Sequence, residues 1–120
     1  MDKRLEENMP IYVQIMNRVR EAIAAGELKP GDKIASVRDL AADFEVNPNT
    51  MQRALTELER EGLLLSERTQ GRYVTADEKA IEELRQGIAA AAAETFIQEM
   101  TALGFTAEEM MDFFVKRFRT

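Results

Sequence analysis

The stretch SVRDLAADFEVNPNTMQRALTELEREGLL, residues 36–64, decides the fold because it marks two helix starts in close succession. Ser36 stands three residues before Asp39, where its hydroxyl can accept a hydrogen bond from a free amide of a first helical turn. Asn47 and Pro48 mark the second start, since an asparagine caps a helix well and proline is tolerated at the first helical position. The stretch therefore predicts two short helices joined by a tight turn.

Apolar residues at helical spacing support both helices. The first helix is expected to end near Phe44, and the second carries Met51, Leu55 and Leu58 on one side before Gly62 ends it. This pattern is typical of a helix-turn-helix, whose second helix reads DNA. The side chains left polar on that helix are Asn47, Asn49, Thr50, Gln52 and Arg53. Asparagine and glutamine can pair with adenine and arginine with guanine, although a solvated polar face is the ordinary alternative.

The residues after Gly62 predict a β-hairpin. An apolar run, LLL, is followed by the polar segment SERTQGR and then by YVT, which is aromatic and β-branched. A helix-turn-helix followed by such a hairpin is a winged helix, whose tip can meet phosphates or a minor groove. The expected tip residues are Arg68, Gln70, Gly71 and Arg72. A hairpin with a merely solvated tip stays open as an alternative, and so does a short strand at residues 33–34 that would pair with the wing.

Motifs along residues 10–75 follow one another in a fixed order: PIYVQI, LKPGDKI, SVRDLA, VNPNT, RAL and LEREGLL. In order and spacing they resemble the winged-helix domain of the GntR superfamily of bacterial transcription regulators. The resemblance implies that Arg38, on the first helix of the motif, reaches a base or the DNA backbone. It also implies that Asn47 to Arg53 begin the recognition helix, and that the backbone of Gly71 approaches the DNA.

Three positions depart from the family pattern. Ala35 stands where a proline is usual, and Glu45 stands where the turn usually has a glycine. The turn is therefore expected to be strained or to use another conformation. The wing reads TQGRY where a glycine, a variable residue and GTF are commoner, which adds Arg72 to the expected tip. We expect the docking mode to be retained and the base preference to differ.

The charge of the chain is unusual for a DNA-binding protein. The net charge is −6, and the first 76 residues carry 11 basic and 13 acidic side chains, whereas DNA-binding domains are commonly basic. The basic character is therefore local, and the expected DNA face carries Arg38, Arg53, Arg68 and Arg72. We expect weak, salt-sensitive non-specific binding, with specificity supplied by a correct operator.

The composition excludes several classes of protein. The chain has no histidine and no cysteine, which removes disulfides, thiol nucleophiles, zinc fingers and histidine-based catalysis. The adjacent acidic pairs at residues 82–83 and 108–109 point in different directions on a helix and do not form a carboxylate dyad. No enzyme activity, cofactor or metal site is predicted. The charged start MDKRLEENM and the lack of a long apolar stretch favour a cytoplasmic protein without a membrane partner.

Residues 77–120 predict two further helices. The first runs from Asp77 towards Gly104 and contains an alanine-rich run with high helix propensity. Thr106, with Glu109 three residues on, indicates a capping box at the start of the second. This last helix is too apolar to stand in water, so we expect a homodimer. The expected interface residues are Ile88, Ala92, Phe96, Met100, Met110, Phe113, Phe114 and Phe118. Alternatively, the aromatic side chains fold back on the winged domain of the same chain.

The predicted class is thus mainly α with a small β wing (α+β). It combines a winged helix-turn-helix DNA-binding domain, residues 1–76, with a helical dimerisation region, residues 77–120. The short second part resembles the YtrA-type branch, which implies a repressor, commonly of an operon for a membrane transporter. A homodimeric regulator at an inverted-repeat operator is the favoured function. A winged-helix module that binds protein rather than DNA stays open, and so does a small-molecule effector at the dimer seam.

Overall fold

The computed structural model describes residues 1–5 and 8–119, which form helices and one β-hairpin. In chain order the elements are α1 (Ile11–Ala24), α2 (Val37–Phe44), α3 (Pro48–Arg60), β1 (Leu64–Glu67), β2 (Gly71–Val74), α4 (Glu78–Ala102) and α5 (Ala107–Phe118). This order confirms the predicted class, mainly α with a small β wing.

Contacts group the chain into two compact units, Met1–Arg85 and Gln86–Thr120. We call them the winged unit and the tail unit. The division of function expected at residues 76 and 77 stays a prediction.

Side-chain caps place the helix starts where the sequence predicts them. The hydroxyl of Ser36 accepts a hydrogen bond from the Asp39 amide at 3.1 Å, and α2 begins at the next residue. The amide oxygen of Asn47 accepts from the Asn49 amide at 2.7 Å, and Pro48 is the first residue of α3. Each cap satisfies a backbone donor that the helix itself leaves free.

Glu45 connects these two helices in a left-handed conformation, with φ of 57° and ψ of 47°. Its amide donates to the carbonyl of Ala42, and the amide of Val46 donates to the carbonyl of Ala41. Two conformations were expected for this turn, and the structure shows the strained one. A glutamate takes the left-handed backbone conformation that favours glycine.

The core of the winged unit is centred on α3. Met51, Ala54, Leu55 and Leu58 are fully buried there, and each large side chain of this kind contributes about 1.5–3 kcal/mol. Around α3 pack apolar side chains from α1, α2, the hairpin and the first turns of α4. They include Ile15, Val19, Ile23, Leu40, Phe44, Leu64, Val74, Ile81 and Leu84.

The hairpin is regular, and its turn is shorter than predicted. In the antiparallel register Leu64 lies opposite Val74, Ser66 opposite Arg72 and Glu67 opposite Gly71. The turn between the strands is therefore limited to residues 68–70. Arg72, which the sequence analysis placed at the tip, lies within β2. The predicted position of this side chain was wrong because pairing with Ser66 extends β2 back to Gly71.

A third short segment pairs with β2 on its other side. Lys33 and Tyr73 form an isolated antiparallel bridge. The Ile34 amide donates to the Arg72 carbonyl at 3.0 Å, and the Val74 amide donates to the Asp32 carbonyl at 2.8 Å. The pairing that the sequence left open at residues 33–34 is therefore present as a bridge.

In the tail unit, α5 begins with the predicted capping box. The Glu109 amide donates to the Thr106 hydroxyl at 3.2 Å, and the Thr106 amide donates to the Glu109 carboxylate at 3.0 Å. This pair of bonds fixes the first turn of α5.

Aromatic rings join the end of α4 to α5 within the tail unit. Phe96 and Phe114 meet edge to face with centroids 5.7 Å apart, and Phe105 meets Phe113 at 5.9 Å. Phe114 also contacts Phe118 at 4.8 Å. These edge-to-face contacts pair α5 with the residues just before it in the chain.

Candidate nucleic-acid interface

The outer face of α3 is polar and exposed. Asn49, Gln52 and Arg53 are exposed and lie at helical spacing on one side, opposite the buried residues. Thr50 is partly buried. The Gln52 amide donates to the Thr56 hydroxyl at 3.3 Å, one turn further along the same face. The structure therefore brings three of the predicted recognition residues, Asn49, Gln52 and Arg53, together on one exposed helical surface, while Asn47 caps the helix.

Arg53 is already ordered by another helix. Its guanidinium carbon lies 3.8 Å from the centroid of the Tyr12 ring in α1, which is a cation–π contact. Tyr12 was not among the predicted site residues. The PIYVQI motif that contains it lies at the start of α1, outside the helix-turn-helix, and no local pattern pairs it with α3.

Arg38 is the second residue of α2 and is exposed. Within residues 1–5 and 8–119 its side chain has no ion pair or hydrogen bond. The same is true of Arg68 in the turn of the wing, across that described part of the chain. Both guanidinium groups are thus available to an incoming phosphate or base. Their contact with DNA stays a prediction.

Two further predicted residues lie at the end of the wing: Gln70 in its turn and Gly71 at the start of β2. Gln70 accepts a hydrogen bond from the Tyr73 hydroxyl at 3.0 Å. Gly71 has a φ of +91°, a conformation that residues with a side chain rarely adopt. The predicted wing glycine is therefore required by the backbone of the hairpin itself.

Arg72 does not offer a free guanidinium. Its Nε donates to the carboxylate of Glu59 on α3, and the Ser66 hydroxyl donates to the same carboxylate oxygen at 2.8 Å. The Arg72 side chain is only 16% exposed. Partial burial raises the pKa of Glu59, but the hydrogen bonds from Arg72 and Ser66 outweigh it and hold the pKa below its ordinary value.

Lys33 is a cation at the wing that the sequence analysis did not select. Its backbone bridges to Tyr73, and its Cε would lie 3.6 Å from a Cβ built on Gly71. Lys33 is exposed and belongs to the LKPGDKI motif. The motif was visible in the sequence, but only the pairing of residues 33–34 with the wing places this side chain beside the wing glycine.

Two negative findings concern the described ranges, residues 1–5 and 8–119. No helix there is long and apolar enough to cross a membrane. No group of acidic side chains in the same ranges is arranged to hold a metal ion.

A capped recognition helix with an exposed polar face, a preceding short helix and an antiparallel wing define a winged helix-turn-helix. The family model described as "Bacterial regulatory proteins, gntR family" matches residues 11–74. The chain belongs to this family, and it is a DNA-binding transcription regulator.

Similar proteins agree with this assignment. The chain is 38% identical over 112 residues to the HTH-type transcriptional regulator YhcF of Bacillus subtilis (strain 168), covering 93% of each protein. It is 46% identical over 70 residues to the HTH-type transcriptional repressor YtrA of the same organism, covering 58% of this chain and 54% of YtrA. These relatives are transcription regulators, not enzymes, which agrees with the class predicted from the sequence.

Solved structures extend the likeness to the fold. A GntR family transcriptional regulator from Listeria monocytogenes has a TM-score of 0.87 and 40% identity, covering 93% of this chain and 98% of that one. AraR(DBD), solved in complex with an operator, has a TM-score of 0.55 and 29% identity, covering 60% of this chain and 87% of that one. AraR(DBD) is bound to operator DNA in that structure, which agrees with the DNA-binding class of this chain.

Proposed function

We propose that the chain acts as a homodimeric repressor that binds an inverted-repeat operator through the winged units of two protomers. The observation that carries this proposal is the large apolar surface of the tail unit. A two-fold dimer of winged helices presents two recognition helices related by symmetry, and such a pair reads an inverted repeat.

The tail unit exposes more apolar surface than a lone protomer should carry. Met111 is 70% exposed, Phe118 is 75% exposed and Leu103, the residue just after α4, is 73% exposed. Contiguous apolar patches on soluble proteins commonly mark interaction sites. An interface with a second tail unit would remove these side chains from water.

A groove between α4 and α5 is the surface on which we expect the second tail unit to bind. It has a volume of about 880 Å³ and is lined by Ala89, Ala92, Ala93, Phe96, Ile97, Thr101, Phe105, Ala107, Met110, Met111 and Phe114. The small alanines let a helix approach closely, because the distance between helix axes depends on the side chains at the contact. The occupant that we propose is the tail unit of a second copy.

The predicted interface residues have different parts in this proposal. Ala92, Phe113, Phe114 and Phe118 are exposed and would contact the partner directly. Ile88 and Phe96 are partly buried, whereas Met100 and Met110 are buried within one protomer. The two methionines would therefore pack behind the interface residues within one protomer and make little contact with the partner.

Repression is proposed because the related YtrA is a transcriptional repressor by name. A dimer seated on promoter DNA would exclude polymerase without any further domain. The YtrA-type resemblance favours an operon for a membrane transporter as the target. The proposed location is the cytoplasm, where a bacterial operator lies.

The operator is tested by selecting genomic fragments with the purified full chain near physiological salt, and then titrating the best duplex against a scrambled one by fluorescence anisotropy. Enrichment of one inverted repeat, bound far more tightly than the scramble, supports the proposal. A folded dimer that enriches no sequence would contradict it.

The dimer is tested with Ala92→Glu, which places a charge in the groove on an exposed helical position. The matched control is Ala91→Glu, since Ala91 is exposed on the same helix but does not line the groove. We expect the control to sediment as a dimer and Ala92→Glu as a monomer. Loss of the second half-site contact should lower operator affinity about 100-fold or more. A dimeric Ala92→Glu would rule out this groove as the interface.

A further inference from the structure

One carboxylate joins the recognition helix to both strands of the wing. Glu59 lies near the end of α3, Ser66 lies in β1 and Arg72 lies in β2. Ser66 and Arg72 are direct cross-strand partners, and both donate to the same oxygen of Glu59. A single side chain of α3 therefore holds the two strands at one rung of the ladder.

The surroundings make this contact stronger than an ordinary surface ion pair. The side chains of Arg72 and Glu59 are 16% and 27% exposed. Exposed pairs contribute little because water screens them, whereas hydrogen-bonded charges with less exposure interact more strongly. The lowered pKa of Glu59 agrees with a carboxylate that is held in its charged form.

A second ion pair on α3 provides a contrast. Arg60 donates to Glu57 at 2.5 Å, and both residues belong to α3 itself. This pair can stabilise the helix but cannot hold the wing. The Glu59–Arg72 pair crosses from the helix to the hairpin, 13 residues further along the chain.

We propose that Glu59 and Arg72 are positioning residues that set the wing against the recognition helix, so that Arg68 at its tip reaches the DNA backbone. The proposal rests on the DNA-binding function of the winged unit. In this proposal Arg72 contacts Glu59 within the protein rather than DNA. Arg68 is then the arginine of the wing that contacts DNA. The angle of the wing is then set by α3, the same element that reads the bases.

The test is a double-mutant cycle on operator affinity in the full chain. The pair is removed together as E59A/R72A, which leaves the net charge unchanged, and R68A is measured in the wild type and in this background. We expect R68A to weaken binding about 10-fold in the wild type and about 2-fold or less without the pair. The matched control is E57A/R60A, in which R68A should keep its full effect.

Hydrogen exchange in the free protein gives a readout that does not depend on DNA. Amides of β1 and β2 should exchange about 10-fold faster in E59A/R72A than in E57A/R60A, while the core of α3 is unchanged. If the paired alanine variant does not fold, E59Q/R72Q, which keeps a polar side chain at both positions and still removes the ion pair, takes its place.

Each failure has its own meaning. An equal cost of R68A in both backgrounds, or unchanged exchange in the wing, would overturn the positioning role. An R68A variant that binds like the wild type would overturn the contact of the wing with DNA, and the proposal with it. A wild-type chain that binds no operator would instead refute the proposed function, while the exchange experiment would still report on the contact of Glu59 with Arg72.

Discussion

The guanidinium of Arg53, on the exposed face of the recognition helix, lies over the ring of Tyr12 in α1, 3.8 Å from the ring centroid. Helix α1 thereby orders a side chain of the recognition helix before DNA binds. Ordering a long side chain in advance lowers the entropy that binding would otherwise cost. Tyr12 is thus placed to influence binding without itself being a base-reading residue.

Tyr12→Ala should weaken operator binding about 2- to 5-fold, the range expected for an exposed cation–π contact. Tyr12→Phe keeps the ring and should bind like the wild type. Anisotropy titration checks both, with a thermal melt to establish that each variant is folded. Equal affinity of Tyr12→Ala and Tyr12→Phe would mean that the stacking has no part in binding.

Arg38→Ala and Arg53→Ala should each lower operator affinity by about 1–3 kcal/mol if the side chain contacts a base. A contact with phosphate alone would weaken operator and scrambled DNA alike and reduce the salt slope by about 1. Titrations on both duplexes at several salt concentrations separate these cases. Arg85→Ala on α4 is the control and should bind normally. Wild-type affinity in either test variant would remove that arginine from the interface.

Glu45→Gly should raise the free energy of unfolding by about 0.5–1 kcal/mol, because glycine takes the left-handed conformation without steric cost. The greater freedom of glycine in the unfolded chain offsets part of this gain. Urea unfolding measures the change, and Glu45→Ala is the control that should bring no stabilisation. A glycine variant no more stable than the alanine variant would show that the turn at φ 57° is not strained.

Glu59 should make stability depend on acid pH. Its pKa is lowered in the folded state from an ordinary value of 4.5, so its contribution is complete above that value. The contribution is lost as the pH falls through the lower, folded pKa. Glu59→Gln should therefore be less stable than the wild type at pH 7, and the difference should shrink towards about pH 3. Urea unfolding at both pH values tests this, with Glu67→Gln on β1 as the control. A difference that stays constant with pH would exclude the carboxylate as its source.

The helix starts in both the winged unit and the tail unit could be predicted because their information is local. The caps at Ser36, Asn47 and Thr106 are short-range patterns, and each has the hydrogen bond that its spacing predicts. The buried face of α3 follows from the same helical spacing. Asn49, Gln52 and Arg53 lie on one exposed face of α3, as their helical spacing predicts. Their contact with DNA stays a prediction.

The parts that were missed depend on tertiary contacts. Arg72 was wrongly predicted at the tip. The length of a strand depends on its pairing with a neighbour, and no local sequence pattern shows that β2 extends back to Gly71. Tyr12 and Lys33 reach the candidate interface only through the packing of α1 on α3 and the bridge to β2. The choice between the two conformations at Glu45 also required the geometry of the turn.

The short segment at residues 31–34 has one more consequence for the wing. A hairpin that projects from a protein leaves a strand edge whose free amides and carbonyls can recruit a strand from another molecule. Here Gly31 and Ile34 donate to carbonyls of β2, and Asp32 accepts from one of its amides. This edge is already satisfied within the protomer, so the wing can project towards DNA without inviting β-sheet aggregation through that side.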